Sequence, residues 1–287
     1  MKHKRQLQEL TIKDNFMFGA VMADEENCRG LLELVLGIPI KSVKVSREKS
    51  IVYHPEYKGV RLDVYAEDEQ HTHYDVEMQV ARERELGRRS RYYHSQIDME
   101  MMLSGKDYAE LSNVYVIFIC DFDPFGEKKY RYTFQNLCLE NRELHLKDGG
   151  TTVFLNTRGE NREDVPEALV RFLDFVRADA EESTKDFNDV FILRLQDTIR
   201  RIKNSREMEE RFMLLKEVLK EERAEGKVEG KAEGKAEDIL LLLQELGTVS
   251  DELMEKIMCE KNPAVLNKYL ICAAKANSVE DFVREFV

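Results

Sequence analysis

The chain of 287 residues has no tryptophan, only five prolines and five cysteines, and no long apolar run. No stretch approaches the roughly 20 apolar residues of a membrane-spanning helix, and the opening "MKHKRQLQEL" lacks the apolar segment of a secretion signal. We therefore expect a soluble, cytosolic protein. The cysteines are far apart and form no C-x-x-C pair, which predicts reduced thiols rather than a zinc site. They are Cys28, Cys120, Cys138, Cys259 and Cys272.

Positive charge is also scarce, because 44 lysines and arginines face 56 acidic residues and the net charge is −12. Non-specific binding of nucleic acid depends on neutralising phosphates, so this balance leaves only a local basic patch for that purpose. The segment "RERELGRRSR", residues 82–91, is such a patch. In a helix, Arg88 and Arg91 would lie three residues apart on a common face. We expect them to contact phosphates; a charged surface helix is the alternative.

The stretch "RLDVYAEDEQHTHYDVEMQV", residues 61–80, alternates polar and apolar residues twice and predicts two half-buried strands joined by a turn. A register centred on Gln70 pairs Tyr65 with Asp75 and Asp63 with Glu77. A slip of two residues would make the second pair diagonal. Gln79 shares the polar face of the second strand.

Two facing carboxylates about 4 Å apart repel by roughly 4 kcal/mol at an effective dielectric of 20. A shared proton, the Arg61 guanidinium or a divalent cation could each offset this repulsion. Magnesium is held by one or two carboxylates together with waters and phosphate oxygens. Asp63 and Glu77 are therefore candidate Mg²⁺ ligands, with Mn²⁺ as a second possibility; a solvent-facing strand pair with scattered acids is the alternative.

The order of elements indicates an α/β core followed by helices. A helix is predicted over residues 14–36, then the strands "SVKVS" and "SIVYH", the acidic hairpin, a helix over 90–103 and the apolar strand "NVYVIFICDF". We expect this core to occupy residues 1–180. An amphipathic helical segment follows over 181–223, and a small helical unit over 238–287.

Between them, "AEGKVEGKAEGKAED" repeats glycine every fourth residue, and each glycine weakens a helix by about 1 kcal/mol relative to alanine. Residues 224–237 therefore form either a linker, which we expect, or a helix whose small residues pack against a partner helix. The apolar stripes of the flanking helices predict a homo-oligomer as one possible assembly.

The hairpin, together with "RSRYYHSQID" and "VYVIFICDFDPFG", resembles the recombination-promoting nuclease and transposase family of the PD-(D/E)XK nuclease superfamily. The resemblance covers roughly residues 10 to 180. It implies a restriction-endonuclease-like core with a helical C-terminal extension. The motif Asp falls on Asp63 and the motif Glu on Glu77. Two positions depart from the motif, because Leu62 replaces its proline and Gln79 replaces its lysine, which usually orients or polarises the attacking water.

The same resemblance implies a metal-dependent DNA endonuclease in recombination, mobile-element activity or defence. The superfamily core often adds an acid from its first helix, for which Asp14 and Glu33 are the candidates. Asp14 could instead cap a helix, and Glu33 could lie at the solvent edge of its apolar run. Because Gln79 supplies no positive charge, the alternative is a catalytically inactive protein that keeps the fold as an interaction or oligomerisation module.

Overall fold

The computed structural model describes residues 6–51, 60–102 and 107–286. The chain divides into two compact units, Met1–Glu209 and Glu210–Val287. The first unit combines a sheet with helices, and the second is helical. This division confirms the predicted class, an α/β core followed by C-terminal helices.

The elements of the first unit fall in the predicted order. Its helices are α1 (Asn15–Met22), α2 (Glu25–Leu36), α3 (Leu86–Met101), α4 (Glu167–Arg177) and α5 (Val190–Lys203). Its strands are β1 (Val43–Ile51), β2 (Val60–Asp68), β3 (His73–Gln79), β4 (Val114–Cys120), β5 (Arg131–Phe134) and β6 (Gly150–Asn156). The helices of the remaining chain are α6 (Arg206–Leu246), α7 (Asp251–Cys259), α8 (Pro263–Ala273) and α9 (Val279–Phe286).

The six strands form one mixed sheet in the order β1-β2-β3-β4-β6-β5. The hairpin strands β2 and β3 are antiparallel, whereas β3, β4 and β6 run parallel to one another. Every residue of β3 is buried, because the strand lies inside the sheet with neighbours on both edges and cover on both faces. The predicted half-buried hairpin is therefore wrong for β3. A local hairpin pattern could not reveal the parallel neighbour that arrives from residues 114–120.

The helix predicted over residues 14–36 is two helices. Asp24 interrupts it, because its carboxylate accepts hydrogen bonds from the backbone N–H groups of Glu26 and Asn27, both at 3.1 Å, and so caps α2. The end is as predicted, since Gly37 adopts φ 70°, the left-handed conformation common after a helix. The segments "SVKVS" and "SIVYH", predicted as two strands, belong to one strand, β1, which is described as far as Ile51. Residues 52–54 of the second segment lie outside the described chain.

Helix α5 belongs to the first unit, so the boundary between units falls later than the predicted residue 180. The Asn27 amide of α2 donates to the Thr198 hydroxyl of α5 at 3.2 Å. At Gly30 the helices approach so closely that a Cβ atom would lie 2.7 Å from the Phe191 ring. Amphipathic spacing predicted the helix but could not indicate which surface it covers.

The glycine repeat over residues 224–237 lies inside the long helix α6 rather than in a loop. Two of its three alanines, Ala232 and Ala236, are buried in the core of the second unit together with Ile239 and Leu243. Packing of this face offsets the poor intrinsic helix propensity of the glycines. Within the described chain, none of the helices combines the length and the apolar character needed to cross a membrane.

Candidate active site

The β2–β3 hairpin brings Asp63 and Glu77 together. The register is the predicted one, because Tyr65 pairs with Asp75 and Val64 with Val76. One position further along, the Asp63 backbone N–H donates to Glu77 Oε1 at 3.1 Å. In return, the backbone N–H of Met78 donates to Asp63 Oδ2 at 3.3 Å. Each carboxylate is therefore held by the backbone of the opposite strand, which places the two acids side by side.

Burial changes the ionisation of this acid pair. Glu77 is only 1% exposed, and burial, reinforced by the nearby Asp63 charge, raises the pKa of Glu77 to about 7. Asp75 is fully buried on the same face of β3. Burial and the charges of Glu77 and Asp63 raise the pKa of Asp75 well above its ordinary value. Within the described chain, neither Asp75 oxygen receives a hydrogen bond from an N–H or hydroxyl group.

Arg89 of α3 supplies the counter-charge for this cluster. Its guanidinium forms an ion pair with Glu77, donates from Nε to the Tyr93 hydroxyl at 2.7 Å, and donates to Glu83 at 3.2 Å. It also lies 5.0 Å from the centre of the Tyr93 ring and 5.7 Å from that of Phe118. These contacts fix the guanidinium beside Glu77. The opposing charge of Arg89 lowers the pKa of Glu77 and so partly counters the effect of burial.

Sequence reasoning missed Arg89, although a signal for it existed. Leu86, Ser90, Tyr93 and Ile97 recur at helical spacing, and the structure buries all four against the sheet. Arg89 lies at the edge of that stripe, so its side chain turns toward the sheet. Arg88 lies outside the stripe and is exposed. The position of the buried stripe, rather than the density of arginines, identifies Arg89 as the positively charged side chain of the site.

Gln79 ends β3, close to the acids. The residue is 8% exposed, and its side chain has no hydrogen-bond partner in the described part of the chain. Its backbone carbonyl accepts from the N–H of Asp121 at 2.9 Å, which ties the end of β3 to the end of β4. The amide is therefore available for a water or a ligand.

The two arginines predicted to contact phosphate line two different grooves along α3. Arg88 is exposed, pairs with Glu85 at 3.3 Å and lines a groove of about 660 Å³ that also contains Arg89 and Tyr92. Arg91 lines a different groove, of about 640 Å³. Both side chains lie on the exposed side of α3, three residues apart as expected, but each borders a groove of its own. Their contact with phosphate remains a prediction.

The two auxiliary acids have structural contacts. Asp14 precedes α1, and its Oδ2 accepts from the backbone N–H of Thr11 at 2.8 Å. Glu33 accepts from the backbone N–H of Ile40 at 2.9 Å and pairs with Arg29 at 3.2 Å. Glu33 thus anchors the chain that leaves α2, and Asp14 shapes the entrance to α1.

The acid pair fits a divalent cation bound by two carboxylates. In the described ranges, no group of three or more histidine, cysteine or acidic side chains is arranged to hold a metal. Magnesium needs only one or two carboxylates if waters and phosphate oxygens complete its shell. A cation would relieve the mutual repulsion of Asp63 and Glu77. It would also stabilise negative charge near the buried Asp75 oxygens, which accept no hydrogen bond from the described residues.

The mixed sheet has an acid pair on its central hairpin, and α3 packs on the sheet and places the Arg89 guanidinium beside that pair. This arrangement defines a restriction-endonuclease-like α/β core. The family model described as PD-(D/E)XK nuclease family transposase matches residues 12–227, well over half of the chain, and the protein belongs to this family. The match includes every residue of the acid cluster and Arg89. Comparisons with curated proteins and with solved structures gave no match.

Proposed function

We propose that the protein is a metal-dependent endonuclease that hydrolyses phosphodiester bonds in DNA. The observation that carries the proposal is a reciprocal pair of hydrogen bonds, in which the Asp63 and Glu77 carboxylates each accept from a backbone N–H of the opposite strand. This arrangement fixes two acids at one point despite their repulsion. Family membership supports a nuclease, and the geometry supports these residues as its site.

Asp63 and Glu77 are the proposed ligands for Mg²⁺, or for Mn²⁺ in its place. Such a cation, when bound, stabilises charge on the scissile phosphate and lowers the pKa of a coordinated water. Gln79, at the motif position where the family resemblance places lysine, would orient the attacking water through its side-chain amide. The raised pKa of the buried Asp75 carboxyl favours its protonated form, which would limit the negative charge around the pair.

Arg89 would provide the positive charge that Gln79 lacks. Its guanidinium is already beside Glu77 and borders the groove that Arg88 lines. A guanidinium can bind two phosphate oxygens at once. In this proposal Arg89 would donate hydrogen bonds to the scissile phosphate, and Arg88 would contact a phosphate further along the strand.

The direct test is cleavage of DNA with Mg²⁺ or Mn²⁺ by wild-type protein and by Asp63→Asn, Glu77→Gln and Gln79→Lys variants. The first two should lose cleavage and the third should preserve or raise it, because a lysine there restores the cation of the family motif. Asp238→Asn, an exposed acid of α6, is the matched control. Cleavage that persists in both the Asp63 and Glu77 variants would refute the site.

A second candidate function is a non-catalytic interaction or oligomerisation module. The Glu77–Arg89 ion pair favours it, since it neutralises the acid without a metal. The two functions differ in metal binding. A nuclease should gain thermal stability with millimolar Mg²⁺, whereas a non-catalytic module should not.

The biological setting is part of the proposal. Recombination, mobile-element activity and defence against invading DNA each require a nuclease with DNA as partner, acting in the cytosol. A homo-oligomer through the C-terminal helices would present two sites to one duplex. Analytical ultracentrifugation of the full chain tests that assembly.

A further inference from the structure

The second groove along α3, opposite the acid cluster, has its own chemistry. Its lining includes Arg91, His94, Asp98, Phe134, Asp148, Gly150 and Thr152. Its volume of about 640 Å³ is in the range of small-molecule sites. Arg91 at its rim is the arginine that sequence reasoning assigned to phosphate binding.

Polar side chains are fixed at the floor of this groove. The Thr152 hydroxyl shares hydrogen bonds with the Ser90 hydroxyl at 2.7 Å and with His94 Nε2 at 3.0 Å. His94 Nδ1 and Asp148 Oδ1 both border the open space above Gly150, at 3.8 Å and 4.0 Å from where a Cβ atom would sit. Because Gly150 has no side chain, this space stays free between an imidazole nitrogen and a carboxylate.

The charge of the groove opposes phosphate and favours amines. Two carboxylates, Asp98 and Asp148, line it with one guanidinium, Arg91. Within the described chain the Asp98 side chain has no hydrogen-bond partner, so it can accept from a ligand. Carboxylates accept hydrogen bonds from exocyclic amino groups of nucleobases, as in the recognition of cytosine N4.

Exposed aromatic rings stand at the edge of the same groove. Phe134 of β5 is 47% exposed, and Phe125 lies beside it with ring centres 5.1 Å apart. Both rings pack edge-on against the buried Phe154, which holds them in place. Stacking of bases on aromatic side chains is a main source of affinity in the binding of single strands.

We propose that this second groove binds an unpaired DNA base that carries an exocyclic amino group, stacked on Phe134 and hydrogen-bonded by Asp98 and Asp148. The inference rests on the proposed function, since the base belongs to the strand that the nuclease acts on. The sugar-phosphate backbone would cross the α3 ridge near Arg91, while the base enters the groove. A base within a duplex already uses its pairing edge, so the groove selects single-stranded or opened DNA.

The test is equilibrium binding of fluorescein-labelled single-stranded oligo(dC) and oligo(dT) to the full chain in EDTA, so that cleavage plays no part. Wild type should bind oligo(dC) at least about fivefold more tightly than oligo(dT), because thymine has no exocyclic amine; fivefold equals roughly 1 kcal/mol. Phe134→Ala should weaken binding of both by about tenfold. Tyr108→Ala, an aromatic side chain 85% exposed and outside the groove lining, should change neither affinity.

Two further variants test the groove itself. Gly150→Val fills the space beside His94 without backbone strain, because Gly150 does not have a positive φ; it should weaken oligo(dC) binding about tenfold. Asp98→Asn should bring the two affinities closer together. Equal wild-type affinities for oligo(dC) and oligo(dT), tighter binding of a fully paired duplex, or unchanged binding by Phe134→Ala and Gly150→Val would each overturn the inference.

Failure of this inference and failure of the proposed function give different results. If the wild type binds oligo(dC) as described but never cleaves DNA with Mg²⁺ or Mn²⁺, the nuclease proposal fails and the base groove stands. If the wild type cleaves DNA, and Phe134→Ala and Gly150→Val bind the oligonucleotides with unchanged affinity, the inference about the base groove fails and the acid site stands.

Discussion

The two units of the chain both bury apolar side chains, but they differ in the polar groups that they bury. Within the described chain, all buried polar and charged residues belong to the first unit, and Asp75 and Glu77 lie at the centre of its sheet. The core of the second unit is built from apolar and small residues such as Leu243, Ile257 and Phe282. Buried carboxyl groups oppose folding unless they are neutralised. The first unit therefore keeps a destabilising cluster that its fold does not need, as expected where a site serves chemistry.

The largest expected stability effect lies in the second unit. Leu243→Ala removes a fully buried side chain of α6 and should destabilise that unit by roughly 2–5 kcal/mol. If the division between units is correct, DNA cleavage should be unchanged at temperatures below this transition. Leu241→Ala, at an exposed position of the same helix, is the control and should leave the transition in place. Loss of cleavage in Leu243→Ala alone would show that the second unit takes part in the site.

The first unit should respond to pH through Glu77. Its folded pKa of about 7, against an ordinary 4.5, means that the folded state binds the proton more tightly than the unfolded state. The free energy of unfolding should therefore fall as pH rises from about 4.5 to 7, by roughly 3 kcal/mol for this group. Glu77→Gln should flatten that dependence in thermal unfolding at pH 5 and pH 8. The same slope in wild type and variant would contradict the assignment.

The arginines of α3 should separate binding from chemistry. Arg88→Met and Arg91→Met should each weaken DNA binding several-fold. Each should also reduce the steepness of the plot of log binding constant against log salt concentration by about 1, as expected for the loss of one phosphate contact. Arg89→Met should instead reduce the cleavage rate by tenfold or more at saturating DNA, because it removes the cation beside Glu77. An unchanged rate in Arg89→Met would leave the ion pair as a purely structural contact.

The smallest effect concerns the glycines of α6. A Cβ atom at Gly230 would meet open space, so Gly230→Ala should stabilise the helix by about 1 kcal/mol and slow limited proteolysis over residues 224–237. Gly37→Ala in the first unit is the contrasting control, because φ 70° is strained for alanine and the change should destabilise. Faster proteolysis of Gly230→Ala would favour the linker that sequence reasoning expected.

Local patterns predicted the hairpin and its register well. Alternation over residues 61–80 gave the pairing of Tyr65 with Asp75, since a strand repeats every two residues and its apolar face fixes the register. The Asp24 cap inside the first predicted helix was also readable, because an aspartate before "EEN" is a common helix start. It was missed because the apolar spacing continues across it.

The remaining features depend on contacts distant in sequence. The burial of Asp75 comes from β4 and α3, which lie more than ten residues further along the chain, so the acid looked like part of a solvent-facing strand. The place of α5 depends on the fit of Phe191 over Gly30. The helical state of the glycine repeat reflects packing of Ala232 and Ala236, which overrides local propensity.

The measurement that tests the central claim most directly is the melting temperature of the first unit with and without 5–10 mM Mg²⁺ at pH 8, in wild type and in Asp63→Asn, alongside DNA cleavage by the same samples. If Asp63 and Glu77 hold a catalytic cation, Mg²⁺ should raise the melting temperature of the wild type only, and only the wild type should cut DNA. No shift and no cleavage in the wild type, or equal shifts in both proteins, would contradict the metal-dependent nuclease site at these residues.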